Sequence, residues 1–167
     1  MHKRIAILGL VGCIVAAAVW GYLAYQGGKS VLTSEITRSA AYSVYEPANS
    51  DDIWQIDAAT VELSKDTSVL TYTLRTESNR IVLSQQASPQ AFTDIPGYYP
   101  KLLDKLHQYD EVSTRLGTVT LTRPDELKGG QSAVLNTSKG TLMFAHPDKD
   151  LSSGQWKEFF DSLALAD

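Results

Sequence analysis

The chain opens with a long uncharged apolar stretch, and shorter segments of alternating apolar and polar residues follow it. Ile5–Tyr25 is 21 residues long and carries no charged side chain. As a helix it would be about 31 Å long, and the hydrocarbon core of a bilayer is about 30 Å thick. Lys3 and Arg4 precede it, and basic flanks stay in the cytoplasm. The pattern predicts a transmembrane signal anchor over residues 5–26 after a cytoplasmic stub of residues 1–4.

Two other interpretations of this segment stay open. In one, a peptidase cleaves the chain after the small residues Ala16-Ala17-Ala18, as in a secretory signal peptide. In the other, Leu10-Val11-Gly12-Cys13 is a lipobox and the thiol of Cys13 is acylated. The uninterrupted apolar run on both sides of these motifs favours the uncleaved anchor.

Small residues recur along one side of the predicted membrane helix. Gly9, Cys13, Ala17 and Gly21 are spaced four residues apart. Such a stripe lets two membrane helices approach closely, so it predicts helix–helix packing and a homodimer formed through the membrane helix.

The rest of the chain predicts a stalk over residues 27–40 and an α+β domain over residues 41–167. Alternating or β-branched residues predict strands that pair as antiparallel hairpins. Ser68–Arg75 shows the pattern most clearly, because Leu70, Tyr72 and Leu74 fall on one face. The predicted strands are Tyr42–Tyr45, Ile53–Leu63, Ser68–Arg75, Arg80–Gln86, Val112–Arg115, Thr118–Thr122, Ser132–Asn136 and Gly140–Ala145.

Two helices are predicted to pack on this sheet. The first extends from Tyr99 to Tyr109, since its apolar residues recur with helical spacing. The second begins after Ser152, which matches a capping box with Gln155, and its apolar stripe starts at Trp156. The fold class is therefore one antiparallel-sheet α+β domain with two packed helices after an N-terminal transmembrane helix.

Charge separates the chain into two unlike parts. The 167-residue chain has a net charge of −4, yet residues 1–28 carry +2 and residues 29–167 carry 13 basic and 19 acidic residues, a net −6. This acidic balance argues against a nucleic-acid-binding surface. The single cysteine, Cys13, excludes a disulfide framework within the chain.

Motifs that would indicate catalysis or a cofactor are sparse. His146 precedes Asp148 and Asp150, but a metal site needs further converging ligands, and the spacing lacks the Gly and Glu of a calcium loop. No nucleophile elbow or phosphate-binding glycine loop occurs. We therefore expect neither enzymatic activity nor a cofactor. A hydrolase with an unrecognised site stays an alternative, which would need His146, an acidic residue and a serine to converge in a cleft.

Polar and aromatic residues beside the first predicted helix are candidate ligand contacts. Gln85 and Gln86 end a predicted strand next to a proline-containing loop, and Tyr98 follows that loop. Amides at a strand end can bind a ligand or cap strand edges. The sequence gives these three side chains as the candidate binding residues.

Three segments of the chain support a family resemblance. They are Tyr42–Pro47, Arg80–Pro89, and the C-terminal hairpin with its Trp156-to-Leu163 helix. Over roughly residues 41–165 the chain resembles uncharacterised bacterial single-pass membrane proteins with a small extracytoplasmic α+β domain, of the domain-of-unknown-function 4367 type. The resemblance implies an arrangement in the membrane but no activity and no site residue.

The resulting hypothesis is a membrane-anchored, extracytoplasmic binding or interaction module, without enzymatic activity, that recognises a protein, an envelope polymer or a small ligand. The N-terminus would be cytoplasmic, and the C-terminal domain would lie outside the cell membrane. A regulatory or sensory subunit acting through a membrane partner is the alternative from another functional class.

Overall fold

A computed structural model describes residues 32, 34–48, 53–123 and 130–166. The helices in this part of the chain are α1 (Ser34–Ser39), α2 (Ala91–Asp94), α3 (Tyr98–Lys105) and α4 (Ser153–Ser162). The strands are β1 (Tyr45–Pro47), β2 (Gln55–Leu63), β3 (Leu70–Arg75), β4 (Arg80–Ala87), β5 (Gln108–Thr114), β6 (Gly117–Thr122), β7 (Ser132–Asn136), β8 (Thr141–Pro147) and β9 (Leu163–Leu165).

The predicted anchor over residues 5–26, with Gly9, Cys13, Ala17 and Gly21, lies outside the described residues. Within the described residues, no helix is both long enough and apolar enough to cross a membrane.

Seven strands form one antiparallel sheet in the order β2-β3-β4-β8-β7-β6-β5. Neighbours along the chain pair as hairpins on each side, and the distant strands β4 and β8 join the two halves, with Leu83 opposite Ala145. The prediction of an α+β domain built on an antiparallel sheet is confirmed.

The two faces of this sheet differ in chemistry because side chains alternate along each strand. We call one the hydrophobic face; it contains Leu70, Tyr72, Leu74, Ile81, Leu83, Leu121, Leu135 and Met143. We call the other the threonine face; it contains Thr71, Thr73, Thr120, Thr122, Ser84, Ser132 and His146.

One helix packs on each face. On the hydrophobic face, α4 buries Trp156, Phe159 and Phe160 completely, and the rings of Phe159 and Phe160 meet edge to face at 5.0 Å. The predicted capping box is present: Gln155 N–H donates to Ser152 Oγ, while Ser152 N–H donates to Gln155 Oε1 at 2.9 Å. The box satisfies backbone groups that would otherwise be unpaired and so fixes where α4 begins.

On the threonine face, α3 packs its leucines against the centre of the sheet. Leu102, Leu103 and Leu106 form a second buried cluster with Val134 of β7 and Leu142 of β8. The two halves of the domain therefore share cores on both sides of the sheet, with α4 and α3 as the covering layers.

A small ribbon made of β1 and β9 forms a second sheet, and Gln85 on the hydrophobic face of the main sheet hydrogen-bonds to its Tyr45 backbone. The sequence placed the first strand at Tyr42–Tyr45, whereas β1 covers Tyr45–Pro47 and pairs with β9. Ahead of it, in the segment predicted as a stalk, residues 34–39 form α1 and Ala40 is buried in the core. The packed part of the chain thus includes residues that the sequence assigned to the stalk.

The first predicted helix ends earlier than expected. Tyr109 was predicted to lie on its apolar stripe, but α3 ends at Lys105 and Tyr109 belongs to β5. The backbone reverses at His107, whose φ of 54° is left-handed and incompatible with continuing the helix. The C-terminal helix likewise stops before Leu163, which starts β9.

Candidate binding groove

A groove with a volume of about 970 Å³ lies between the β3–β4 turn and α4, near the start of β2. Its walls come from residues 53–55, from the turn at residues 75–79, from residues 149–151 after β8, and from Gln155 and Glu158 of α4. The volume is at the upper end of the about 300–1,000 Å³ range of ligand clefts. Since Ser78, Gln155 and Glu158 are exposed, the groove is open to solvent.

The side chain of Asn79 ties two of these walls together. Its Nδ2 donates to the carbonyl of Lys149 at 2.9 Å, and its Oδ1 accepts from Lys149 N–H at 3.1 Å. The same Oδ1 accepts from Arg80 N–H at 2.9 Å, and Lys149 Nζ donates to the carbonyl of Ser78 at 2.8 Å. The turn and the loop are therefore held at a fixed separation, which reduces the ordering cost of binding.

Apolar side chains line the groove beside α4. Trp54 is mostly buried, and its ring meets that of Phe159 edge to face at 5.3 Å. Ile53, the residue before it, is 73% exposed and is the most exposed large hydrophobic side chain in the described part of the chain. Leu151 is buried at the opposite wall. A ligand can thus cover an apolar surface that the fold itself leaves in water.

Apart from Lys149, whose ammonium donates to the carbonyl of Ser78, the charged side chains of the groove fall into two groups. Arg75 forms an ion pair with Asp57, and the carboxylate of Asp150 pairs with Arg123 at 2.6 Å. The carboxylates of Glu77 and Glu158 are exposed and make no hydrogen bond or ion pair with the described residues. The groove therefore offers two carboxylates for an incoming ligand.

The sequence-based candidate contacts Gln85, Gln86 and Tyr98 are not part of this groove. Gln85 is fully buried on the hydrophobic face, where its amide hydrogen-bonds to the backbone of Tyr45. Gln86 is half-buried and points to the threonine face. Tyr98 is buried, and its hydroxyl has no hydrogen-bond partner among the described residues. A ligand-binding role for these three stays a prediction.

Two polar residues of the threonine face form a serine–histidine contact. Ser132 Oγ lies 3.1 Å from His146 Nδ1. Burial lowers the pKa of His146 below its usual 6.5, against the opposing effects of a hydrogen bond with the Gln131 backbone and of the charges of Asp148 and Asp150. Ser132 is only 6% exposed, and neither residue lines the groove. The carboxylate of Asp148 pairs with Arg80, and that of Asp150 pairs with Arg123. The serine–histidine contact is therefore a hydroxyl–imidazole pair whose neighbouring carboxylates form ion pairs with arginines.

Within residues 32, 34–48, 53–123 and 130–166, no group of three or more His, Cys, Asp or Glu side chains is placed to hold a metal ion. His107 is exposed in the turn after α3.

Sequence reasoning missed the groove because its walls come from three separate parts of the chain, residues 53–55, 75–79 and 149–158. The available signal was Ile53-Trp54, an apolar pair directly before a strand that begins with the polar Gln55. Such a pair is compatible with ordinary core packing, and only the fold shows that Trp54 is buried while Ile53 is not.

Comparison with known proteins gives no match to a family model, to a curated protein or to a solved structure. The resemblance to bacterial single-pass proteins of the domain-of-unknown-function 4367 type stays a prediction, and the groove must be interpreted from its own chemistry.

Proposed function

We propose that this protein is a membrane-anchored binding module, without enzymatic activity, whose extracytoplasmic domain takes a ligand in the groove beside α4. The groove carries the proposal, because it combines a fixed wall, an exposed apolar residue and unpaired carboxylates in one concave surface. Concave sites with apolar lining and a few polar groups are where ligands bind in most proteins. The uncharged segment at residues 5–26 supports the anchoring part of the proposal.

Ligand binding to the full chain in nonionic detergent micelles tests this function. The panel contains basic, acidic and neutral peptides, an anionic phosphate polymer and soluble glycans, each measured by calorimetry against empty micelles. We expect at least one class to bind, and Ile53→Ser to weaken that binding because it removes the exposed apolar contact. Asp66→Asn, at the exposed β2–β3 turn, is the control and should bind like the wild type. If no binding responds to Ile53→Ser, the groove is not the site and the proposal fails.

A hydrolase is the second candidate, and the 3.1 Å contact between Ser132 and His146 favours it. A neutral imidazole beside a serine hydroxyl can accept its proton during nucleophilic attack. Reaction of the full chain with a fluorophosphonate probe separates the two candidates. Labelling that is lost in Ser132→Ala would support the hydrolase, whereas an unlabelled chain agrees with the binding module.

A further inference from the structure

We propose that the groove binds a basic peptide segment: its Lys or Arg side chain pairs with Glu77 and Glu158, and a neighbouring apolar side chain packs on Ile53 and Trp54. This inference rests on the proposed function and names the chemical class of its ligand.

Charge complementarity is the first support. With Arg75 and Asp150 already paired inside the domain, the charges left for a ligand are the carboxylates of Glu77 and Glu158 and the ammonium of Lys149. The ammonium already donates a hydrogen bond to the carbonyl of Ser78. A cationic ligand meets two carboxylates, whereas an anionic ligand meets one partly engaged cation.

The charge of the whole domain acts in the same direction. Residues 29–167 carry a net −6, so the field around the domain attracts cations and repels anionic polymers. Such a field raises the rate at which a basic partner arrives and lowers the rate for an acidic one.

The apolar side of the groove selects against a ligand that is only charged. Ile53 is 73% exposed, and the next residue, Trp54, packs edge to face against the ring of Phe159. An apolar side chain placed here removes surface from water on both partners. A peptide supplies both features because neighbouring residues can carry a cation and an apolar group, and a groove open to solvent lets the rest of the chain continue past it.

The test uses short acetylated, amidated peptides and the full chain in nonionic detergent micelles. The first peptide contains lysine and leucine, the second has glutamate for lysine, and the third has serine for leucine. We expect only the first to bind measurably, and added salt should weaken its binding. The variant with Glu77→Gln and Glu158→Gln together should raise its Kd about three- to tenfold, since exposed ion pairs contribute modestly.

Asp66→Asn removes a carboxylate outside the groove and is the matched control, expected to leave the Kd unchanged. Three results would overturn the inference: equal binding of the glutamate peptide, an unchanged Kd in the double variant, or preferential binding of an anionic polymer. If a different ligand class binds and Ile53→Ser weakens it, the binding function stands and only the ligand class is wrong. If nothing in the panel binds, both fail.

Discussion

Gln85 shows how a single polar side chain can stand in for a strand. Its Oε1 accepts from Tyr45 N–H at 2.8 Å, and its Nε2 donates to the carbonyl of Tyr45 at 2.6 Å and to Tyr72 Oη at 2.9 Å. The amide thereby pairs with both backbone groups of one β1 residue, as a neighbouring strand would. Gln85 lies on the same face of β4 as Ile81 and Leu83, but its partner is 40 residues away and no local pattern in the sequence indicates it.

Gln85→Leu should destabilise the domain by about 1–3 kcal/mol. The substitution introduces an apolar side chain of similar size but leaves Tyr45 N–H buried without its acceptor, and an unsatisfied buried donor costs about that much. Chemical denaturation of the full chain in detergent measures the change. Gln86→Leu is the control, because Gln86 is half-buried on the other face and its loss should change the free energy of unfolding by only about 0.5 kcal/mol. Equal effects of the two variants would contradict the role given to Gln85.

His146 should make the domain less stable in mild acid. Burial lowers its pKa in the folded chain below the usual 6.5, so the unfolded chain binds a proton that the folded chain does not. The free energy of unfolding should therefore fall as the pH drops below about 6.5, and it should not change through this group at higher pH. The measurement is the slope of that free energy against pH. The slope should become shallower in His146→Gln, and a slope unaffected by that substitution would refute the effect.

At the scale of elements, hairpins were predictable and their terminations were not. Ser68–Arg75 and Arg80–Gln86 alternate so regularly that pairing followed from sequence, and the register joins Tyr72 to Leu83. The end of α3 carries no glycine or proline, so no helix-ending residue in the sequence indicates the left-handed turn at His107. The three-residue strands β1 and β9 are too short to show a period, and each is stabilised by the other.

Asn79→Ala should loosen one wall of the groove. It removes the three hydrogen bonds that join the β3–β4 turn to residues Arg80 and Lys149. We expect faster hydrogen exchange at Lys149 N–H and a loss of about 1–3 kcal/mol in stability. Ser78→Ala is the neighbouring control, since Ser78 contributes its backbone to this wall. Unchanged exchange in Asn79→Ala would show that the wall is held by other contacts.

At the scale of the whole molecule, long-range pairing decides where the groove lies. The β4–β8 contact brings the loop after β8 next to the β3–β4 turn, with Asp148 N–H bonded to the carbonyl of Arg80 at 2.9 Å. The hydrophobic face then positions α4 across from that turn through Trp54 and Phe159. Hydrophobic periodicity predicts the faces of single elements, but it carries no information on which hairpin pairs with which. The groove therefore could not be predicted from the sequence.

The uncharged segment over residues 5–26 makes the membrane attachment of this chain testable. If residues 5–26 form an uncleaved anchor, the full chain should stay in the membrane pellet after an alkaline carbonate wash, because an apolar helix of that length is stable only in the bilayer. If Lys3 and Arg4 also keep the N-terminus in the cytoplasm, protease added from the extracytoplasmic side should digest the C-terminal domain.

Intact mass of the purified chain then separates the three interpretations of this segment. An uncleaved anchor retains residues 1–18, a cleaved signal peptide loses them, and a lipoprotein gains acyl mass that disappears in Cys13→Ser. With the anchor intact, replacing Gly9 and Gly21 together by Leu should reduce dimerisation in a membrane-helix reporter assay, because larger side chains keep the two helices apart. Release of the chain by carbonate would contradict the uncleaved anchor and the extracytoplasmic location of the groove. The peptide-binding test of the groove does not depend on that result.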